Sequence, residues 1–178
     1  MDAPEHRTRD EALIPAPIHA CFAALADLAT YARWWTLVRV VPLGAGTLLA
    51  PGVRFRFVGG RPGGAELSWE ARVLELDEPR RIELAYVAGE LLGRTAWELA
   101  SEGAATRVAY VYRGVRANGA ASAASFARFG TRLHNAAMQE DALAGLARYL
   151  GGAGCELDDE AWRREVGRRV AARLGPAT

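Results

Sequence analysis

Between residues 36 and 114 the sequence follows a period of two, which is typical of β-strands with one buried face. An apolar segment comes first, and five alternating segments follow it: LVRVVPL, then VRFRFV, ELSWEARVLEL, RRIELAYV, GRTAWEL and TRVAYVYRG. Turn residues separate these segments, and no connection is long enough for a crossover helix. The pattern therefore predicts six strands that pair as antiparallel neighbours.

The alternation also predicts which face of the sheet is buried. Phe55 and Phe57 alternate with Arg54 and Arg56, and the later strands repeat this arrangement with Trp, Tyr, Leu and Val opposite Arg and Glu. Arginine and glutamate on facing strands can pair on a solvated surface. We therefore expect an aromatic and aliphatic inner face and a charged outer face.

Shorter elements precede this sheet. Residues 8–14 predict a first strand, and Pro17 is placed to begin a helix whose stripe includes Cys21, an inert buried thiol. Asp27 can cap a second short helix in which Leu28, Tyr31 and Trp35 share a face. On helical spacing Trp34 points about 100° away from Trp35. We accordingly expect Trp35 in the core and Trp34 to point elsewhere.

Helical spacing returns after the last strand. Residues 121–150 predict one long helix with a broad, alanine-rich stripe, and Glu140 falls on that stripe, which predicts a buried and paired carboxylate. GGAG ends this helix. A second amphipathic helix begins near Asp158, with Trp162 on its apolar face. This organisation predicts a domain over residues 1–150 and a helical extension over residues 151–178.

The order of elements and two stretches of sequence resemble a known superfamily. IPAPIHACFAALADLATYARWW and LSWEARVLELDEPRRIEL, together with the final helix, are similar to the START/Bet v 1-like (SRPBCC) helix-grip proteins, particularly their polyketide cyclase/dehydrase-like branch. The similarity covers about residues 5 to 150. It implies an α+β fold in which a seven-stranded antiparallel sheet curls around a long C-terminal helix, with two short helices after the first strand. It also implies a hydrophobic ligand between sheet and helix.

The resemblance, which places Trp34 at the rim of the cavity, and the alternation and the helical stripe together predict the residues that would line it. They are Trp34, Phe55, Phe57, Trp69, Tyr86, Trp97, Tyr110, Tyr112, Phe126, Phe129 and Leu133. Candidates for acid/base chemistry are Tyr110, Tyr112 and His134. Spacing places His134 on the flank of the stripe, which favours a surface position, although a histidine inside the pocket would be the natural proton-transfer group near neutral pH.

Composition excludes several other kinds of chemistry. All 22 basic residues are arginine, so a lysine Schiff base is excluded, and the net charge of +1 gives no support for nucleic-acid binding. The cysteines, histidines and acids lack the spacing of a metal site, and no motif indicates a cofactor. The N-terminal stretch lacks the apolar segment of a signal peptide, and no run of residues is apolar enough to span a membrane. We expect a cytoplasmic, bacterial protein.

Three functions are compatible with these patterns. The leading hypothesis is binding of an aromatic, polyketide-like or lipid-like molecule through buried apolar surface. The second is a polyketide aromatase/cyclase or dehydrase that uses cavity tyrosines or His134 as acid and base. The third is a protein-interaction module that forms a homodimer through the C-terminal helix.

Overall fold

Seven strands and a set of helices make up the computed structural model, which describes residues 5–60, 66–116, 134–153 and 159–174. The strands are β1 (His6–Ile14), β2 (Val38–Pro42), β3 (Arg54–Gly60), β4 (Glu66–Asp77), β5 (Arg81–Gly89), β6 (Leu91–Glu102) and β7 (Ala105–Arg116). The helices are α1 (Ile18–Ala26), a 3₁₀-helix (Leu28–Arg33), a π-helix (Ala136–Leu143), α2 (Ala144–Leu150) and α3 (Asp159–Leu174).

All strands belong to one antiparallel sheet in the order β1-β7-β6-β5-β4-β3-β2. Consecutive strands from β2 to β7 are neighbours, and β1 adds to the far edge beside β7. The sheet curls into a half-barrel, and the π-helix and α2 pack against it. This confirms the predicted helix-grip fold with its seven-stranded antiparallel sheet.

The two faces of the sheet differ as the alternation predicts. Phe55 and Phe57 are buried, whereas Arg54 and Arg56 extend outward and bind Glu70 of the next strand at 2.6 and 2.9 Å. Exposed pairs of this kind contribute only about 0–1 kcal/mol each. Their consequence is structural, because they fix which face of each strand meets solvent.

The short elements after β1 are held by local hydrogen bonds. Pro17 directly precedes α1, and Asp27 accepts the Ala29 backbone N–H at 3.0 Å, which caps the 3₁₀-helix. The hydroxyl of Tyr31 donates to the Leu25 carbonyl at 2.9 Å. Cys21 is a fully buried free thiol, as predicted.

The helix near the C-terminus departs from the predicted residue pattern. The described part begins at His134 and runs through the π-helix into α2, so residues 121–133 of the predicted helix lie outside the described residues. Glu140 is exposed, which makes the prediction of a buried Glu140 wrong, and the neighbouring Asp141 is buried instead. A turn of a π-helix contains more residues than a turn of an α-helix. The buried positions therefore fall about one residue later in the sequence than α-helical spacing predicts.

Gly145 fixes how closely α2 approaches the segment that carries the two adjacent tryptophans. A Cβ at this position would lie 1.9 Å from the carbonyl oxygen of Trp34, where only a hydrogen atom fits. The helix backbone can therefore pack directly on the Trp34 backbone.

Replacing Gly145 with alanine is expected to destabilise the protein by about 1–3 kcal/mol, because the new methyl group must push the two backbones apart. Urea unfolding followed by circular dichroism measures the change. Gly167 in α3 is the matched control, since a Cβ there meets nothing within 4 Å. Gly167→Ala should be neutral or stabilise by up to about 1 kcal/mol. Equal effects of the two substitutions would contradict the close approach.

Candidate functional site

The inner face of the sheet carries a continuous surface of aromatic rings. Phe57 stacks on Trp69 with ring centroids 5.1 Å apart, and Tyr86 lies edge-on to both. Trp97 and Tyr110 continue the surface across β6 and β7, at 4.9 Å. The predicted cavity residues that the structure describes are all buried: Trp34, Phe55, Phe57, Trp69, Tyr86, Trp97, Tyr110 and Tyr112. Phe126, Phe129 and Leu133 lie outside the described residues.

Trp34 and Trp35 both belong to the core, which corrects the expectation that Trp34 lies at a pocket rim. Trp34 is 1% exposed and its Nε1 donates to Thr30 Oγ1 at 3.1 Å. The 3₁₀-helix ends at Arg33, and Trp34 has φ −133° and ψ −26°, so helical spacing no longer separates the two side chains. Their rings stack at 5.8 Å, and both meet Trp97 edge-on.

Two tyrosine hydroxyls meet within this aromatic surface. The hydroxyl oxygens of Tyr86 and Tyr110 lie 2.5 Å apart in a buried hydrogen bond. Burial and the neighbouring Tyr110 hydroxyl raise the pKa of Tyr86 well above its ordinary value. Burial also raises the pKa of Tyr110, although its side-chain interactions with Thr95 and Tyr86 act in the opposite direction. Both groups are therefore neutral at physiological pH, and because one hydroxyl donates to the other, the pair keeps one hydrogen atom for a further acceptor.

Tyr112, the third predicted tyrosine, makes different contacts. Its hydroxyl donates to the carbonyl oxygens of Leu92 at 3.1 Å and Val115 at 3.4 Å. These backbone contacts give the hydroxyl a structural role at the β6–β7 pair. The three inward tyrosines thus divide into a side-chain pair and a backbone-bound residue.

His134 contacts a buried carboxylate that the sequence patterns did not identify as part of a site. Its Nε2 lies 2.6 Å from Asp10 Oδ2, and Gln139 Nε2 donates to Asp10 Oδ1 at 3.1 Å. Burial acts to raise the pKa of Asp10, but the hydrogen bond and charge of His134 and the Gln139 amide outweigh it and hold the pKa below its ordinary value. The inward position of Asp10 on β1 was the available signal, because an acidic residue on a buried face requires a partner.

A second buried carboxylate joins three segments of the chain. Asp141 is fully buried, and it accepts hydrogen bonds from Thr36 Oγ1 at 2.7 Å, the Leu37 backbone N–H at 2.5 Å and Arg169 Nη1 at 2.8 Å. Thr36 and Leu37 follow the two tryptophans directly. Asp141 therefore connects the π-helix to the start of β2 and to α3.

The C-terminal helix docks on its own chain through this contact and a second one. Trp162 is buried, and the guanidinium of Arg39 lies 5.0 Å from the centre of its ring. The predicted docked helix is present as α3. The homodimer through this helix stays a prediction.

Neither a metal site nor a membrane-spanning helix is found in the described part of the chain. Within residues 5–60, 66–116, 134–153 and 159–174, no cluster of three or more His, Cys, Asp or Glu side chains has the arrangement of a metal site. No helix in these ranges is both long enough and apolar enough to cross a membrane.

The half-barrel with its inner aromatic surface and packed helix defines a protein of the helix-grip class. The family model described as "Polyketide cyclase / dehydrase and lipid transport" matches residues 5–151. The chain belongs to this family, within the SRPBCC superfamily. The match ends before α3. A comparison with functionally curated proteins found no match.

Solved structures show the same fold at low sequence identity. A protein from Thermus thermophilus is 22% identical with a TM-score of 0.62, and the alignment covers 83% of this chain and 99% of that one. A Mycobacterium smegmatis protein is 16% identical with a TM-score of 0.60, covering 85% and 98%. A Staphylococcus aureus protein described as of unknown function is 10% identical with a TM-score of 0.63, covering 85% and 97%.

The ion pair between Arg169 and Asp141 predicts that Arg169 contributes to the stability of the folded protein. Arg169→Met should lower the free energy of unfolding by up to about 3 kcal/mol, because Asp141 would stay buried with one donor fewer. Arg168→Met is the matched control, since Arg168 binds the same Glu165 but is 68% exposed. Urea unfolding of both variants measures the difference. A loss of equal size in both would contradict the role of Asp141.

The tyrosine pair predicts a loss of stability in alkali. The unfolded chain releases tyrosine protons near pH 10, whereas the folded protein keeps them on Tyr86 and Tyr110, so the free energy of unfolding should fall as pH rises through about 10. The chain has no lysine that would titrate in this range. Urea unfolding at several pH values measures the slope. Tyr110→Phe should make the slope shallower, and an unchanged slope would contradict the raised pKa.

Proposed function

We propose that the protein binds a hydrophobic small molecule, aromatic, polyketide-like or lipid-like, between the inner face of the sheet and the helix that packs on it. The observation that supports this most is the continuous buried aromatic surface from Phe57 to Tyr110 on the inner face of the sheet. Rings of this kind contribute binding free energy through buried area and through edge and face contacts with a ligand.

Two unpaired donors within this surface favour a ligand that carries oxygen atoms. Trp35 Nε1 and Trp69 Nε1 are buried, and neither has a hydrogen-bond partner among the described residues. A buried donor without an acceptor costs about 1–3 kcal/mol. A ligand carbonyl or phenol oxygen that accepted from one of them would remove this cost, and a plain hydrocarbon would not.

A polyketide aromatase/cyclase or dehydrase activity is the second candidate. The hydrogen-bonded hydroxyls of Tyr86 and Tyr110 favour it, because the pair supplies a neutral donor in an apolar surrounding. Such donors stabilise negative charge that develops on a substrate oxygen more strongly than they would in water. The family's description names both cyclases or dehydrases and lipid transport, so it is compatible with either candidate.

Native mass spectrometry of the purified protein tests the binding proposal directly. We expect a small molecule to be retained, or an added hydrophobic dye, anilinonaphthalene sulfonate, to bind with one-to-one stoichiometry. Dye bound at the inner face should quench tryptophan fluorescence by energy transfer. Absence of any retained molecule together with absence of dye binding would overturn the proposal.

Two tryptophan substitutions locate the bound dye. Trp69→Phe should reduce the dye-dependent quenching or weaken dye binding, because Trp69 lies in the aromatic surface between Phe57 and Tyr86. Trp162→Phe is the matched control, since Trp162 packs beneath Arg39 and outside this surface. If Trp162→Phe reduced quenching more than Trp69→Phe, the dye would bind beneath α3 and the inner face would not be the site.

A further inference from the structure

Asp10 is an acidic residue at an inward position of β1, where the sheet does not require charge. Its neighbours on the same face of the strand are Thr8, Ala12 and Ile14, and Ile14 is part of the core. The Asp10 side chain is 8% exposed, and both of its oxygens are bonded, one to His134 and one to Gln139. A carboxylate held by two side chains has a fixed orientation.

This carboxylate determines which nitrogen of His134 carries the proton. Nε2 lies 2.6 Å from an Asp10 carboxylate oxygen, which is an acceptor, so the tautomer that fits this contact has its hydrogen atom on Nε2 and its lone pair on Nδ1. Nδ1 has no hydrogen-bond partner in the described part of the chain, and the side chain is 25% exposed. An imidazole oriented by a carboxylate with its second nitrogen open is the arrangement of a general base.

The register of the sheet brings this base to the same wall as the tyrosine pair. Asp10 lies directly opposite Tyr110 in the β1–β7 pair, and side chains at such positions point to the same face about 5 Å apart. The negative charge of Asp10 also acts to raise the pKa of Tyr110. Tyr110 in turn contacts Tyr86. The carboxylate that binds His134 and a tyrosine pair with one hydroxyl hydrogen left to donate therefore share the inner face of the sheet.

We propose that Asp10 and His134 form a proton-transfer centre at the β1 side of the interior, which acts on a carbonyl compound with an acidic C–H bond next to its carbonyl group. The proposal rests on the proposed function, because the substrate must lie against the inner face. His134 Nδ1 is the base, and Asp10 is the residue that positions it.

The step balances without any other reactant. Nδ1 takes the proton, and the electron pair of the broken C–H bond forms the C=C bond of an enolate whose negative charge moves to the carbonyl oxygen. One hydroxyl of the Tyr86–Tyr110 pair donates to the other, and the second keeps a hydrogen atom available to that oxygen. The imidazolium then returns the proton to the substrate, so the protein leaves the reaction unchanged.

5-Nitrobenzisoxazole tests for the base without knowledge of the natural substrate. When a base removes the proton from its C–H bond, the N–O bond breaks and a nitrile and a coloured phenolate form, with no further reactant. We expect the wild-type protein to accelerate this opening at neutral pH, and His134→Gln to lower the rate by about 100-fold or more. A wild-type rate no higher than that of His134→Gln would overturn the proposal.

The role of Asp10 needs its own comparison. Asp10→Asn should lower the rate by about tenfold or more, because an amide does not select the histidine tautomer, and Asp10→Glu should restore part of it. Glu11→Gln is the matched control on the outer face of the same strand, where Glu11 binds Arg9 and Arg107, and its rate should equal that of the wild type. Equal rates for Asp10→Asn and Glu11→Gln would refute a positioning role.

Nitrogen NMR of the imidazole provides a measurement that a purely structural role would not change. The wild-type spectrum should show His134 with its hydrogen atom on Nε2, and Asp10→Asn should mix the two tautomers. His134→Gln identifies the signal among the three histidines of the chain. A wild-type hydrogen atom on Nδ1 would overturn the assignment of Nδ1 as the base.

Dye binding distinguishes failure of this proposal from failure of the proposed function. If anilinonaphthalene sulfonate binds to the wild type but the benzisoxazole is opened no faster than by His134→Gln, the proton-transfer centre is refuted and ligand binding stands. If the dye does not bind to the wild type and the purified wild type retains no small molecule, the proposed function itself is refuted. Dye binding that is equal in the wild type and in Asp10→Asn supports a loss of chemistry rather than of the fold.

Discussion

The fully buried carboxylate of Asp141 is the constraint on which the interior of this protein depends. Moving a carboxylate out of water is costly unless hydrogen bonds and an opposite charge compensate it. Asp141 obtains this compensation from two other segments of the chain, the Thr36–Leu37 link and Arg169 of α3. Because these donors come from distant parts of the chain, neither segment can shift without leaving the charge poorly compensated.

The position of the tryptophans follows from this constraint. Asp141 holds the residues directly after Trp35, and Gly145, one turn further along the helix, lets α2 pack on the Trp34 backbone. Between these two contacts the indole rings have only the interior to occupy, where they meet Trp97 and Phe57. The aromatic surface is therefore assembled by a polar contact at its edge as well as by apolar burial.

The sequence was sufficient to predict the sheet, because a period of two in the residues reports directly which face is buried. Phe57, Trp69, Tyr86, Trp97 and Tyr110 were all placed correctly on the inner face. Errors arose where geometry departs from regular periods. In the π-helix the buried acidic residue is Asp141 and not Glu140, and at the end of the 3₁₀-helix the backbone turns the side chain of Trp34 inward.

The polar contacts of the candidate site were beyond sequence patterns for a different reason. His134 and Asp10 are 124 residues apart, and Arg169 and Asp141 are 28 residues apart across a glycine-rich link. Periodicity places a residue on a face of its own element, but it does not pair that residue with one on a distant element. The acidic residue at an inward position of β1 signalled only that some partner must exist.

The two buried aspartates show how the partner of a carboxylate decides what it can do. Asp141 is paired with arginine, which keeps its proton at any physiological pH, so this pair holds charge and position but cannot exchange a proton. Asp10 is paired with histidine, whose ordinary pKa lies near neutrality, so the same carboxylate there orients a group that can accept and release one. Burial makes both pairs rigid, but only the Asp10 pair lies beside neutral hydroxyl donors on the aromatic wall. Proton transfer is therefore expected at the β1 side of the interior, next to Asp10. The contacts of Asp141 that fix the positions of the helices lie at the β2 side.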